Sequence, residues 1–134
     1  MTMNHGVVHF EMPADDPDKL ADFYRQLFGW EITKMEAGGM EYWSIATSPT
    51  DPTSGMPNEP GMINGGLARR QMQGETPMNY VNVESVDEYV RKAKSLDATV
   101  ALDKVAIAGM GFYARLIDPQ GNPIGVWQTD SGAS

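Results

Sequence analysis

The chain contains no cysteine. Disulfides, thiolate catalysis and thiolate metal sites are therefore excluded. No stretch approaches the roughly 18 consecutive apolar residues of a membrane helix. The N-terminus lacks the basic-then-apolar pattern of a secretory signal, so a cytoplasmic protein is expected. Basic charge is scarce: 10 Lys and Arg stand against 18 Asp and Glu, a net charge of −8. That balance disfavours nucleic acid and membrane as partners and mildly favours cationic or neutral small molecules. Methionine, by contrast, is plentiful at 10 residues, either as adaptable core filler or as an apolar binding surface. With 134 residues the chain is the size of a single domain, 1–134, able to bury a core without staples.

The sequence nearly repeats itself. His9 to Leu27 reads as strand, carboxylate-rich turn, helix, and Met78 to Leu96 reads the same way at an offset of 69 residues. The same offset lays Trp43 over Phe112. In Gly6–Met12, Val7, His9 and Glu11 alternate with Val8, Phe10 and Met12, as the two faces of a strand do. Asp15 and Asp16 before Pro17 mark a helix start. Leu20, Phe23, Tyr24, Leu27 and Phe28 form its apolar stripe, and Gly29 ends it in the left-handed conformation. Trp30–Met35, Glu41–Ala46 and Ile63–Arg70 are the next strands, the last weakened by Gly65-Gly66. Gly38-Gly39 makes a turn, and Ser48–Gly61, with four prolines, is expected to be a mobile loop.

The second half follows the same order. Met78–Val83 is a strand, and Ser85 caps a helix whose Glu88 completes a capping box. Val86, Tyr89, Val90, Ala93 and Leu96 line that helix. Thr99–Leu102, Phe112–Ile117 and Ile124–Gln128 are strands, with the turn Asp118-Pro119-Gln120-Gly121-Asn122 before the last. The tail Thr129–Ser134 is expected to fray. The organisation is a βαβββ module over 5–70, a linker over 71–77 and a second module over 78–128. The fold class is α+β: paired βαβββ modules forming a curved eight-stranded mixed sheet with a concave pocket and helices on the outside.

Three segments carry a resemblance. They are His9-Phe10-Glu11-Met12-Pro13-Ala14-Asp15-Asp16, Phe23-Tyr24-Arg25-Gln26-Leu27-Phe28-Gly29-Trp30 and Asp118-Pro119-Gln120-Gly121-Asn122-Pro123-Ile124-Gly125. Together they make the chain resemble the vicinal oxygen chelate superfamily of glyoxalases, bleomycin-resistance proteins and ring-cleaving dioxygenases. The resemblance implies a homodimer with pockets on the concave sheets, sometimes shared between chains. It implies a metal ligand of His, Gln or Glu type on the first and last strand of each half. His9 takes the first of those positions. The offset puts Met78 at the second, and a thioether is a poor ligand for such ions. The last-strand positions fall at Gly125 and near Gly65–Leu67, without a donor, which would leave open room where relatives hold a metal. No metal or other cofactor is therefore expected. A divalent zinc, nickel, manganese or iron is the alternative, including a set built from His5, His9 and Glu11.

Strand parity makes His9, Glu11, Met78, Tyr80, Asn82 and Trp127 the candidate ligand-binding residues, joined by Trp43 and Tyr113. Arg115 is a further candidate, and Arg69 is either an anion site or a solvated strand-end charge. His9 and Glu11 are the catalytic candidates. Such a lining suits a small aromatic or hydrophobic molecule. The expected function is metal-independent binding of that ligand, as in the bleomycin-resistance branch. The alternatives are a lyase, isomerase or dioxygenase-type enzyme using His9 or Glu11, with or without a divalent metal, and an accessory module with a vestigial pocket.

Overall fold

A computed structural model describes residues 4–37 and 40–134. The Gly38-Gly39 turn lies outside them. The described residues form eight strands and two helices, in two compact units: His9–Pro77, and Met78–Ser134 together with the residues up to Val8.

The first unit is built from β1 (Val7–Ala14), α1 (Pro17–Phe28), β2 (Glu31–Ala37), β3 (Met40–Ala46) and β4 (Asn64–Arg69). Its strands run in the order β2-β3-β4-β1, with β1 parallel to β4 and the other pairs antiparallel. Asp16 caps α1 by accepting the Lys19 N–H at 3.2 Å, Pro17 opens the helix, and Gly29 closes it at φ 71°. The core under α1 is Ala21, Ile32, Trp43, Ile45 and Leu67. The apolar stripe of α1 is a correction to the sequence reading. Only Pro17 and Ala21 are buried, whereas Phe23, Leu27 and Phe28 are more than half exposed. Small Ala21 lets the helix approach the sheet closely, and the larger residues lie on its flank. Tyr24 stacks on Trp30 at 5.1 Å and on Phe28 at 6.1 Å, so the Phe-Tyr…Phe-Gly-Trp segment works as an aromatic clasp.

The second unit repeats the plan with β5 (Met78–Asn82), α2 (Val86–Ser95), β6 (Thr99–Ile107), β7 (Gly111–Ile117) and β8 (Pro123–Thr129). The strand order is β5-β8-β7-β6, with β5 parallel to β8. Ser85 caps α2 through the Glu88 N–H. The core is Val83, Val86, Val90, Ala114, Leu116 and Val126. Strand β6 is longer than expected and carries register shifts beside Leu102. The paired βαβββ modules of the expected α+β fold are thus present.

The proline-rich segment is a loop, as expected, and the expectation of a frayed tail is corrected. The loop is folded on itself: Asp51 N–H donates to the Met56 carbonyl, Gly55 N–H to Asp51 and Asn58 N–H to Pro49, at 2.8–2.9 Å. The tail is also held. Ala133 is buried, and its carbonyl accepts the Gly109 N–H at 2.9 Å. Among the described residues no helix is long and apolar enough to cross a membrane.

Candidate functional site

In each unit one sheet face packs on its helix and the other does not. On the first unit's helix-free face lie His9 and Glu11, because Phe10 and Met12 turn to the core. Glu11 is in register with Gly66 on β4, and Gly66 with Ser44 on β3. Tyr42 therefore shares their face, while Trp43 faces α1. The Tyr42 hydroxyl sits 2.9 Å from His9 Nε2, which is also 3.3 Å from Glu11 Oε2. Imidazole, carboxylate and phenol thus meet at one nitrogen. The His9 side chain is 32 % exposed and that of Glu11 20 %, so both retain access to solvent. Gly66 makes this contact possible: a Cβ there would collide with the Tyr42 hydroxyl and ring carbon. The preceding Gly65 accommodates the Phe10 ring on the opposite face in the same manner.

The second unit's helix-free face carries Met78, Tyr80 and Asn82 on β5, Tyr113 and Arg115 on β7, and Gly125 and Trp127 on β8. Arg115 Nε–H donates to the Tyr80 hydroxyl at 2.8 Å. Tyr80 and Tyr113 meet edge to face at 5.9 Å, and the Arg115 guanidinium lies 5.7 Å from the Tyr113 ring centre. Trp127 donates to Thr129 Oγ1 at 2.9 Å and lies over Gly111. Met78, Asn82, Tyr113, Arg115 and Trp127 are partly buried.

Two of the sequence candidates are corrected. Trp43 is 1 % exposed within the core, its indole N–H donating to Asp18 at 3.2 Å, so it packs the fold and offers no surface to a ligand. The cause is strand parity, which gives the helix-free position to Tyr42. Tyr80 keeps the expected face but is 2 % exposed, so it supports Arg115 and Tyr113 from beneath. The room expected at the two last-strand glycines is filled. Tyr42 covers Gly66, and the Tyr80 ring covers Gly125, where a Cβ would strike ring carbons.

These fillings bear directly on the metal position. The ligand places that the resemblance implies fall at His9, Met78, Gly125 and near Gly65–Leu67, and tyrosines occupy the space above Gly66 and Gly125. Glu11 adds one hard donor beside His9. This donor set does not fit the four-ligand centre, and among the described residues no group of three or more His, Asp and Glu gathers to hold an ion. The His5, His9 and Glu11 combination is not formed. His5 Nδ1 lies 2.9 Å from the Asn82 carbonyl and its Nε2 2.9 Å from the Tyr89 hydroxyl. A carbonyl can only accept, so Nδ1 carries the proton and Nε2 accepts from Tyr89. Arg69 has the parity of Leu67 and pairs with Glu41 at 3.3 Å, which is the strand-end reading.

The Asp-Pro-Gln-Gly-Asn turn has a structural task. Asp118 Oδ1 accepts the N–H groups of Gln120 at 2.8 Å and Asn122 at 3.0 Å, and Gly121 takes φ 87°. Hydrogen bonds from Asn122, backbone first and then side chain, hold the Asp118 carboxyl below its ordinary range. The turn aims β8, and so places Gly125 and Trp127.

Sequence reasoning missed Tyr42. Its signal was the alternation of Tyr42 and Ser44 with Trp43 and Ile45 against a glycine pair on the neighbouring strand. The offset also changes along the chain. It pairs Glu11 with Tyr80 on the first strands, but by register Ser44 corresponds to Arg115, two residues beyond the sequence ruler.

Solved structures of similar architecture include a hypothetical protein from Bacillus halodurans C-125, at TM-score 0.67 and 15% identity, covering 98% of this chain and 99% of that one. A Streptomyces coelicolor methylmalonyl-CoA epimerase variant in complex with 2-nitronate-propionyl-CoA aligns at TM-score 0.66 and 15% identity, covering 97% and 98%. The Mycobacterium tuberculosis methylmalonyl-CoA epimerase aligns at TM-score 0.66 and 13% identity, covering 97% and 93%. At such identities the likeness is one of fold. No curated protein matches the chain. The sequence profile of the Glyoxalase/Bleomycin resistance protein/Dioxygenase superfamily matches residues 6–126, and the chain belongs to that superfamily.

Proposed function

We propose that the chain binds a small aromatic or otherwise flat apolar molecule on the helix-free faces of its modules, without the metal centre of its metal-using relatives. The observation that carries this reading is the pair of tyrosines over Gly66 and Gly125. Tyr42, partly exposed, offers ring surface beside the polar anchors His9 and Glu11, and the buried Tyr80 backs Tyr113 and Arg115 on the other face. Aromatic rings with few convergent polar groups favour a flat ligand carrying one hydrogen-bonding end. The acidic chain, at −8, favours a neutral or cationic one. Calorimetric titration with a panel of aromatic antibiotics and cationic dyes tests the proposal, with and without chelator. Binding tighter than about 1 mM, a standard free energy beyond about −4 kcal/mol, that ignores chelator is expected. A protein that binds nothing in the panel refutes it. The homodimer belongs to the same proposal, and sedimentation equilibrium measures it.

A second reading rests on His9 Nε2, which stands between the Tyr42 hydroxyl and the Glu11 carboxylate. This arrangement supports acid–base catalysis of isomerase or lyase type. Deuterium uptake from D2O into methylmalonyl-CoA, the substrate named for two structural neighbours, is one assay. Uptake lost in His9→Ala supports the reading, and uptake equal in wild type and variant removes His9 from that role. The dioxygenase-type form would need donors beyond His9 and Glu11.

A further inference from the structure

The segment between β3 and β4 is anchored from the same sheet face that carries His9. Asn64 opens β4 and is in parallel register with His9, one strand spacing away, about 4.8 Å. Both side chains therefore leave the same face. Asn64 spends its amide on the loop. Its Oδ1 accepts the Thr47 N–H at 2.9 Å, and its Nδ2 donates to Thr50 Oγ1, also at 2.9 Å. Thr47 Oγ1 in turn donates to the Ile63 carbonyl at 2.7 Å, and Thr50 Oγ1 to that of Ser48 at 2.9 Å. One amide thus ties both ends of the loop together beside His9. Above that base the loop closes on itself through the Thr50–Pro57 bridge and its Asp51 turn.

A second observation comes from the same base. The Ser48 hydroxyl is buried and has no hydrogen-bond partner among the described residues. A buried hydroxyl normally finds one, so an orphan marks a place where a water, a ligand atom or a loop shift supplies the bond. Pinned ends, internal turns and an unsatisfied donor at the hinge describe a loop with a defined position that can still adjust.

We infer that the loop 48–63 is the adjustable wall of the His9 face and that Asn64 is the positioning residue that sets it. The inference deepens the binding reading and rests on it for the ligand, but the tie of the loop to the strand position beside His9 stands without one. Asn64 acts through the loop. It discriminates among ligands by where it holds residues 48–63.

The test uses the full chain and three variants. Asn64→Ala removes both ties; Asn64→Asp keeps the acceptor for Thr47 and loses the donor to Thr50; Thr50→Val removes that donor's acceptor together with the Thr50 bond to the Ser48 carbonyl. Hydrogen exchange is read at the Asp51, Gly55 and Asn58 amides, and the His9 imidazole is followed by NMR, both without ligand. Asn64→Ala should raise loop exchange at least tenfold, leave the β5–β8 amides unchanged and shift the His9 resonances. The two milder variants should lie between. Unchanged loop exchange overturns the inference, and so does a loosened loop with unmoved His9 resonances. If Asn64→Ala does not fold, the milder variants decide by the same criteria. A ligand arm uses 9-aminoacridine. If wild type binds it, the charge-neutral Thr50→Val should weaken binding at least threefold, and equal affinity with a loosened loop overturns the wall. If neither 9-aminoacridine nor the wider panel binds wild type, the binding proposal fails by itself while the ligand-free readouts still judge the coupling.

Discussion

The two modules solve one packing problem from different strands. Each places a glycine on its last strand opposite its first, and each covers that glycine with a tyrosine ring. In the first module the ring is Tyr42, which crosses from β3 and delivers its hydroxyl to His9. In the second it is Tyr80, which stands on β5 in direct register with Gly125 and delivers its hydroxyl to Arg115. Backbone symmetry is kept and chemistry is not. One face gathers imidazole, carboxylate and phenol; the other gathers phenols and a guanidinium. The cores differ in the same spirit. The first is filled by one large residue, Trp43, whereas the register-equivalent place in the second holds Ala114, with valines around it. Duplication of a scaffold fixes where side chains can point, and each copy then fills its own volume.

The largest expected effect exploits that core difference. Trp43→Ala should cost about 3–5 kcal/mol, while Val126→Ala in the second core should cost roughly 2 kcal/mol. Urea unfolding followed by circular dichroism compares them. Equal costs would mean that the first core does not depend on one ring.

Next come the covered glycines. Gly125→Ala should cost roughly 3 kcal/mol, because the added methyl meets the base of a buried ring that has nowhere to go. Gly66→Ala should cost about 1 kcal/mol, because it meets only the far end of the partly exposed Tyr42. Gly66→Ala should also detach the hydroxyl from His9, visible as a changed imidazole resonance. A reversed order of stability would break the account of the two tyrosines.

The helix caps should behave alike. Asp16→Ala and Ser85→Ala remove equivalent bonds of 3.2 Å, and each should cost about 1 kcal/mol in thermal or chemical unfolding. A marked difference would show that one helix is held mainly by its packing.

The smallest effects lie at opposite ends of the pH scale. Asp118 in the second module has a depressed pKa, so its contribution is full above the unfolded value of about 3.9 and is lost as pH falls through the folded value. The stability deficit of Asp118→Asn should therefore shrink in acid. Lys34 in the first module has a raised pKa, caused first by the Glu41 carboxylate. Its contribution is full below the unfolded value of about 10.4 and is lost as pH rises through the folded one. Lys34→Met should differ least from wild type in strong alkali. Lys34 is exposed and Asp118 partly so, and salt should weaken both effects.

Much of the fold was legible because its signals are local. Asp16-Pro17, Gly29 and Ser85 mark helix ends by backbone chemistry that needs no distant partner. Alternation separated His9 and Glu11 from Phe10 and Met12. The apolar stripe of α1 misled, since periodicity shows which residues share a flank but not how much sheet lies beneath them. The site was legible in part. Parity puts His9, Glu11, Met78, Asn82 and Trp127 on the helix-free faces, whereas it leaves Tyr113 and Arg115 without a side. Trp43 has none either, because parity within β3 has no origin until a neighbouring strand supplies its register. Gly125 and the stretch Gly65–Leu67 carry no donor by residue identity, but empty space at a glycine is a statement about neighbours, which sequence does not list.

By itself, the sequence determined the duplicated βαβββ plan and the superfamily. These follow from residue identity and short-range spacing. Only the tertiary structure decided that Tyr42 and Tyr80 fill the vacant places, that Tyr42 engages His9, and that Asn64 ties a proline-rich loop beside it. Those contacts join residues far apart in the chain, and close packing chooses among side chains that sequence alone leaves equivalent.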